Sequence, residues 1–202
     1  MIRSLGWSVA IAMLASVVAA DTPALVPMWR TGTLHEGFYS SQRIVAADVT
    51  GDGVRDIVGC TRGAPYAMSK RPSLAVYDVA WYGPPSDCKA VAAADLDGDG
   101  GAEIIVVSNP ESSIDKLRIF NTESLGHART EITLPDSIAS VTDVVVANVD
   151  ADANLEIVVT TENDTFVYDA ATLSLQWTAA YRGGTGVAVG DLEGDGKNEI
   201  IV

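Results

Sequence analysis

Four copies of one acidic loop recur along the chain, and they constrain its fold more than any other feature. Oxygen-bearing side chains occupy positions 1, 3, 5 and 9 of each copy, and the copies begin 47, 53 and 43 residues apart. These residues are Asp48, Thr50, Asp52 and Asp56; Asp95, Asp97, Asp99 and Glu103; Asn148, Asp150, Asp152 and Glu156; and Asp191, Glu193, Asp195 and Glu199. Repetition at this period indicates an array of similar structural units.

The spacing of the oxygens suits a hard cation. Calcium takes six to eight oxygen ligands, and a tight loop can supply them from alternate residues. The backbone carbonyl at position 7 would add another ligand, from Val54, Gly101, Asn154 and Lys197. Glycine at position 6 (Gly53, Gly100 and Gly196) allows the positive φ that a loop folded around an ion needs. The sequence therefore predicts up to four Ca²⁺ sites.

The apolar runs after the loops distinguish these sites from helix-flanked calcium loops. An EF-hand requires glutamate at position 12, whereas that position holds Gly59, Val106, Val159 or Val202. The runs are short and β-branched, which is typical of strands. We expect calcium loops that join two strands. The alternative is that Asp-Gly loops are simple hairpin turns, which four aligned copies disfavour.

The charge distribution agrees with a cation in the loops. The chain has 27 Asp and Glu residues against 13 Lys and Arg residues. Fourteen of the acids occupy the loop positions, so the remaining 13 match the bases. The acidic excess therefore lies where a cation would bind, and this balance together with the expected export disfavours nucleic acid as a partner.

The four copies differ in their ligand sets. The second and fourth have an acid at each of the four positions and glycine at position 6, so we expect the strongest sites there. The first has Thr50 at position 3, a weaker neutral ligand. The third begins with Asn148 and has Ala153 in place of the glycine, so we expect weak binding or a loop without an ion.

The segments around each loop predict four strands per repeat. First-strand runs precede the loops at 44–47, 90–94, 144–147 and 187–190, and third-strand runs with a central aromatic lie at 74–78, 117–121 and 165–169. Trp81 and Trp177 each lie 14 residues before the next loop, in predicted fourth strands, and we expect the repeated aromatics to pack between units. Repeats of this length with four strands are typical of β-propeller blades, so the fold class is all-β.

The loop and its strands resemble the FG-GAP/VCBS repeat, the calcium-binding blade of integrin-α-like propellers and of many secreted bacterial proteins. Gly186–Val202 is the most similar segment, and the resemblance covers about residues 40–202. The Phe-Gly pair of the family name is missing, and Gly63-Ala64-Pro65 lies later than the family pattern would place it. The resemblance implies a propeller of four-stranded blades with calcium in the loops between strands 1 and 2.

The N-terminus predicts export. Arg3 precedes a short apolar stretch that ends in Val18-Ala19-Ala20, as in a secretory signal peptide. We expect a signal peptide at residues 1–20 and a propeller domain at residues 21–202, with no membrane span after cleavage. Cys60 and Cys88 are the only cysteines, and in an exported chain a pair favours a disulfide, although two separate buried thiols remain possible.

The end of the sequence leaves the fourth repeat incomplete. Val202 lies within its predicted second strand, so we expect a fragment of a longer protein or a closure that the sequence does not reveal. In the first case, Val26–Tyr39 with Trp29 could form an outer strand that completes the last blade.

Two classes of function fit these features. The first is a secreted or cell-surface scaffold for adhesion or for binding a protein or glycan ligand, with calcium as a structural brace. Its predicted partner-binding loop, Thr61–Ser73, holds Arg62, Tyr66, Lys70 and Arg71, although a solvated loop is the simpler interpretation. The second is part of a polysaccharide-active enzyme with catalytic residues elsewhere, since the chain has no Gly-x-Ser-x-Gly, zinc or phosphate-loop motif and no catalytic residue is predicted.

Overall fold

Short strands on either side of the acidic loops, with further strands after them, form four antiparallel sheets. The computed structural model describes residues 44–60, 64–70, 77–109, 115–124, 130–135, 141–150 and 152–202. Sheet 1 contains β1 (Ile44–Ala47), β2 (Asp56–Cys60), β3 (Pro65–Lys70) and β4 (Tyr77–Tyr82); sheet 2 contains β5 (Asp87–Ala94), β6 (Glu103–Asn109), β7 (Lys116–Phe120) and β8 (Thr130–Thr133). Sheet 3 contains β9 (Val141–Ala147), β10 (Glu156–Thr161), β11 (Thr165–Asp169) and β12 (Leu175–Ala179), and sheet 4 contains β13 (Ala188–Gly190) and β14 (Glu199–Ile201). The protein is all-β, as predicted.

The sheets share one topology. In sheets 1 to 3 the four strands pair in chain order, so each sheet is a meander in which every strand pairs with the strand before it. The first strands of consecutive sheets are neighbours, because β5 lies against β1 and β9, and β13 lies against β9. A single turn of 3-10 helix, Thr122–Ser124, follows β7. The repeat period of the sequence is therefore the period of the sheets.

The second strand of sheet 2, β6, has both of its faces buried between neighbouring sheets. The run Ile104–Val107 is apolar at every position, which is typical of a strand with both faces buried. Ile104 and Val106 pack in a core that includes residues of sheet 1, whereas Ile105 and Val107 pack in a core that includes residues of sheet 3. Side chains alternate along a strand, so one strand supplies two neighbouring cores.

An aromatic pair lies at the contact between sheets 1 and 2. Trp81 on β4 and Phe120 on β7 have ring centroids 5.2 Å apart with their planes tilted by 56°. Trp81 is only 4% exposed. Contact between two aromatic rings at this separation adds to the free energy of area burial. The predicted packing of repeated aromatics between units therefore occurs at this contact.

The equivalent tryptophan of sheet 3 has a different environment. Trp177 on β12 is 50% exposed. It lines a cleft of about 460 Å³ together with Val149, Asp150, Val167, Gln176 and Ile200. Ile200 belongs to β14, so the cleft lies between sheets 3 and 4. The two tryptophans share a position in the repeat but not the same degree of burial.

A disulfide links sheets 1 and 2. Cys60 at the end of β2 and Cys88 near the start of β5 are bonded, with 5.6 Å between their Cα atoms. Both residues are fully buried in the core between the two sheets. The bond therefore joins the second strand of one repeat to the first strand of the next.

The third strand of sheet 1 differs from the prediction. The structure places this strand at Pro65–Lys70, and Tyr77 begins the fourth strand, so the assignment of 74–78 to a third strand was wrong. Gly63-Ala64-Pro65 indicates a turn in the sequence. Proline is tolerated at the first position of a strand, however, and the Pro65 carbonyl accepts a hydrogen bond from the Gly83 N–H at 2.9 Å.

Several predictions fall outside the described residues. They are the signal peptide at 1–20, the outer strand proposed for Val26–Tyr39, and the side chains of Arg62 and Arg71. Within the ranges that the structure describes, no helix has the length and apolar character that a membrane span requires.

We expect the two tryptophans to contribute unequally to stability. Trp81→Ala removes a buried ring and should lower the free energy of unfolding by about 3–5 kcal/mol. Trp177→Ala, at a half-exposed site, should lower it by less than about 1 kcal/mol. Urea unfolding followed by circular dichroism measures both values. Equal losses in the two variants would contradict the difference in packing.

Candidate metal centres

Each acidic loop connects the first and second strands of its sheet. The loops are loop 1 (48–55), loop 2 (95–102), loop 3 (148–155) and loop 4 (191–198). In every loop the acid at position 9 accepts a hydrogen bond from the N–H at position 2. The donor–acceptor pairs are Val49 N to Asp56 Oδ2 (3.0 Å), Leu96 N to Glu103 Oε2 (2.9 Å), Val149 N to Glu156 Oε2 (2.8 Å) and Leu192 N to Glu199 Oε2 (2.8 Å). One carboxylate thus joins the beginning of each loop to its end.

The acid at position 1 organises the turn of loops 1, 2 and 4. Asp48 accepts from the N–H groups of Asp52 and Gly53, at 3.1 and 2.6 Å. In loop 2, Asp95 accepts from Gly98 and Gly100, at 2.7 and 3.0 Å. Asp191 accepts in the same way from Gly194 (2.6 Å), Asp195 (3.1 Å) and Gly196 (2.8 Å). The N–H of Gly196, followed by those of the neighbouring residues, lowers the pKa of Asp191 below its usual range.

Glycines shape these turns at two positions. Positive φ occurs at position 6, in Gly53, Gly100 and Gly196, and also at position 4, in Gly51, Gly98 and Gly194. The sequence predicts the requirement at position 6; the requirement at position 4 was missed, although glycine recurs there in three copies. Both positions need the left-handed conformation that only glycine adopts readily.

The acid at position 5 holds the residue that carries the predicted carbonyl ligand. Its carboxylate accepts from the N–H at position 7 in all four loops. The pairs are Val54 to Asp52 (2.8 Å), Gly101 to Asp99 (2.8 Å), Asn154 to Asp152 (2.7 Å) and Lys197 to Asp195 (2.9 Å). The four loops therefore share the hydrogen bonds that positions 5 and 9 accept from the backbone, despite their different ligand sets.

Carboxylates converge most closely in loops 2 and 3. Oxygens of Asp95, Asp97 and Glu103 lie within 4.8 Å of one another, and so do oxygens of Asp150, Asp152 and Glu156. No other group of three acidic, histidine or cysteine ligands this close occurs among the described residues. Loop 3, expected to be weak, thus gathers its acids, whereas loop 4 is more open. The order of affinities stays a prediction.

Loops 1 and 3 depart from the others where their ligand sets are incomplete. In loop 1 the Thr50 hydroxyl donates to Asp56 Oδ2 at 3.2 Å. In loop 3 the Asn148 side-chain amide donates to the Asp152 carbonyl at 2.6 Å. Asn148 therefore holds the turn with its amide group, as a donor instead of the acceptor that aspartate provides.

Two buried carboxylate oxygens indicate that the loops suit a cation. Asp56 and Glu156 are both 0% exposed, and Asp56 Oδ1 and Glu156 Oε1 have no hydrogen-bond partner. Burial, followed by the charges of Asp150, Asp152 and Asp169, raises the pKa of Glu156, whereas its bond from Val149 acts in the opposite direction. A buried anionic oxygen without a partner is costly, and a bound cation would remove that cost. The residues present therefore fit calcium.

The predicted partner-binding loop is largely a strand. Tyr66 and Lys70 lie on β3, so the prediction of a loop over 61–73 is wrong for 65–70. Tyr66 is 2% exposed, and burial followed by the nearby Tyr82 raises its pKa to about 12. Of the two cluster residues that the structure describes, Lys70, at the strand end, is the exposed one. The hairpin between β2 and β3 buries the tyrosine that was expected to face a partner.

Comparisons with known proteins bear on both the loops and the fold. Residues 48–106, which include loops 1 and 2, match the family described as FG-GAP-like repeat. Among curated protein sequences, none matches the chain significantly.

Solved structures with a similar fold include those of three proteins. The exotype rhamnogalacturonan lyase YesX has 18% identity and a TM-score of 0.57, over 79% of this chain and 38% of the lyase. BBS1N, from a complex with ARL6DN, has 13% identity and a TM-score of 0.57, over 77% and 50%. The V. cholerae biofilm matrix protein Bap1 has 23% identity and a TM-score of 0.53, over 86% and 30%. The chain spans half or less of each protein, and the likeness concerns the fold alone.

We expect Glu156→Gln to change stability in opposite directions with and without calcium. In chelator the variant removes a buried charge, so its melting temperature should rise by about 2–4 °C, equivalent to about 1 kcal/mol for a domain of this size. The amide oxygen can still accept from Val149. In millimolar calcium the variant lacks an anionic ligand and should melt below the wild type. Differential scanning calorimetry in both buffers measures the two shifts.

The pH dependence of the melting temperature provides a control for the Glu156→Gln prediction. The raised pKa of Glu156 means that the stability contributed by its proton is present below the unfolded pKa of about 4.3 and is lost as the pH rises through the folded pKa. The advantage of the variant in chelator should therefore be small at pH 4 and larger at pH 7. Glu162→Gln, at an exposed position in the next turn, should shift neither melt. The same sign of shift in calcium and in chelator would contradict the assignment.

Proposed function

We propose that the protein is an extracellular, calcium-braced β-propeller scaffold that binds a protein or glycan ligand, on the premise that residues 48–106 match the FG-GAP-like repeat family. The observation that carries the proposal is the pair of buried, unpartnered carboxylate oxygens, Asp56 Oδ1 and Glu156 Oε1, in loops already rich in acids. Buried carboxylate oxygens without a hydrogen-bond partner destabilise the folded protein unless a positive charge lies beside them.

The arrangement of the sheets supports a propeller. Four-stranded meanders whose first strands are neighbours are the arrangement of propeller blades around an axis. We infer that sheets 1 to 3 are three such blades and that β13 and β14 begin a fourth. The burial of Trp81 against Phe120 is then a contact between blades, and the cleft beside Trp177 is the corresponding place on the third blade.

Calcium would brace each blade at the loop between its first two strands. The predicted ligands are side-chain oxygens at positions 1, 3, 5 and 9 and the carbonyl at position 7. The ion would neutralise carboxylates that otherwise repel one another. Extracellular modules bind calcium at about 10⁻⁴–10⁻³ M, so such loops suit a calcium-rich compartment. The disulfide between Cys60 and Cys88 supports the same location.

The ligand of the scaffold is a protein or glycan surface. The loops between strands 2 and 3 open at the opposite end of each sheet from the acidic loops, since neighbouring strands are antiparallel. The connections between strands 2 and 3 can therefore vary in length and sequence without changing the metal loops. Variable loops on a constant scaffold are typical of a ligand-binding surface. In sheet 1, Tyr66 lies near this end, whereas Lys70, at the other end of β3, lies at the end of the sheet that carries the acidic loop.

The second candidate is a propeller that forms part of a polysaccharide-active enzyme. The similarity to a rhamnogalacturonan lyase over 38% of that protein favours it, since the lyase extends well beyond the matched region. Incubation with acidic and neutral polysaccharides separates the candidates. Binding on a glycan array without release of reducing or unsaturated ends supports the scaffold, and release of such ends supports the enzyme.

We expect the loss of one acid to lower the number of bound calcium ions. Asp97→Ala and Asp195→Ala should each reduce the stoichiometry measured by isothermal titration calorimetry by at least one ion, because each removes a ligand of a complete set. Asp87→Ala, whose carboxylate pairs with Lys89 at 2.9 Å outside the loops, should leave the stoichiometry unchanged. An unchanged stoichiometry in both loop variants would refute the ligand assignment.

A further inference from the structure

Neighbouring acidic loops are joined by hydrogen bonds at equivalent positions. The Ala102 N–H in loop 2 donates to the Asp48 carbonyl in loop 1 at 2.6 Å. The Asn198 side-chain amide in loop 4 donates to the Asn148 carbonyl in loop 3 at 2.8 Å. Ala102 and Asn198 are both at position 8, and Asp48 and Asn148 are both at position 1 of the preceding loop. The same two positions are therefore linked twice along the chain, once through a backbone N–H and once through a side-chain amide.

In both hydrogen bonds the donor and acceptor loops differ in the number of acids at the ligand positions. Loops 2 and 4 carry four acids each and donate, whereas loops 1 and 3, which have Thr50 and Asn148 in place of an acid, accept. Each incomplete loop is thus held by a complete one. Position 1 is also the residue that organises its own turn, through the bonds from Asp52 and Gly53 in loop 1 and the bond to Asp152 in loop 3.

The link between loops 1 and 2 passes through a single peptide group. The Gly101 carbonyl, the predicted position-7 ligand of loop 2, and the Ala102 N–H belong to the same planar peptide unit. A trans peptide places its oxygen and its hydrogen on opposite sides, so this unit serves the two loops at once. Polarisation of the carbonyl by a cation strengthens the N–H as a donor, and such hydrogen bonds are cooperative. A cation on the Gly101 carbonyl would therefore strengthen the hydrogen bond from Ala102 to Asp48.

A second contact holds loop 1 against sheet 2. The Thr122 hydroxyl, after β7, donates to the Val49 carbonyl at 3.0 Å. Thr122, Asn121 and Glu123 line a cleft of about 210 Å³ together with residues of loops 1 and 2. At the next junction, the residue at position 8 of loop 3 is Leu155, and its carbonyl accepts from Ala170 within sheet 3 at 2.9 Å. Among the described residues, no backbone hydrogen bond runs from the Leu155 N–H to loop 2, so the link does not recur at this junction.

We propose that the metal loops act as two coupled pairs, loop 1 with loop 2 and loop 3 with loop 4, in which the residue at position 8 of the complete loop orders position 1 of the incomplete one. The pairing rests on the proposed binding of calcium. Coupling between two sites is reciprocal, so a cation in either loop of a pair raises the affinity of the other. One hydrogen bond between them corresponds to a change in affinity of about threefold to tenfold.

Removal of the side-chain link in the second pair tests the proposal. Calcium is titrated into the ¹⁵N-labelled full chain, and the amide signals of each loop report its own midpoint. In Asn198→Ala, which changes no predicted ligand, the midpoint of loop 3 should rise about threefold to tenfold while those of loops 1 and 2 stay fixed. Asn163→Ala, an exposed asparagine in the turn between β10 and β11, should move no midpoint.

Two further variants complete the test. Asp195→Ala, which disables loop 4, should raise the midpoint of loop 3 without affecting loops 1 and 2. Thr122→Val should raise the midpoint of loop 1 without affecting loops 3 and 4. The unaffected loops show in each case that the variant is folded.

The outcomes separate the pairing from the calcium function. An unchanged midpoint of loop 3 in both Asn198→Ala and Asp195→Ala overturns the pairing while calcium binding stands. A midpoint that rises in loops 1 to 3 alike overturns it in favour of a general loss of stability. If no loop of the wild type responds to millimolar calcium, the proposed calcium function fails, and the pairing fails with it.

Discussion

Repulsion between carboxylates is the constraint on which this structure depends. In loops 2 and 3, three acidic side chains bring oxygens within 4.8 Å of one another. Like charges at such separations cost on the order of 1–4 kcal/mol per pair, depending on exposure. Backbone N–H groups relieve part of this cost, since acids at positions 1, 5 and 9 accept them, but Asp56 Oδ1 and Glu156 Oε1 remain buried and unpartnered. A cation in the loops would remove the remainder.

The position of the loops explains why the repulsion concerns the whole fold. Each loop joins the first two strands of a sheet, and the first strands of consecutive sheets are neighbours. The links from Ala102 to Asp48 and from Asn198 to Asn148 then join one loop to the next. Repulsion between the carboxylates of one loop therefore opposes the strand pairing of its own sheet and the contact with the neighbouring sheet. The Cys60–Cys88 disulfide secures the first of these contacts covalently.

Local features of the sequence predicted the parts of the structure that depend on local physics. The strands on either side of each loop follow from short runs of small or β-branched residues, and they formed where expected. The third strand of sheet 1 did not, because Pro65 indicates a turn locally and the strand is specified by its pairing with β2 and β4. The glycines at position 4 were recognisable in the sequence and were missed. The bonds between loops could not be predicted, since they depend on how separate sheets pack.

The most direct test is a thermal melt of the full chain, followed by circular dichroism, in millimolar calcium and then in chelator. If cations brace the acidic loops, we expect one cooperative transition whose midpoint rises substantially with calcium and with its concentration, because a ligand that binds only the folded state stabilises it by mass action. A cooperative transition at the same temperature in both buffers would contradict calcium as the brace and would leave the loops as hydrogen-bonded turns.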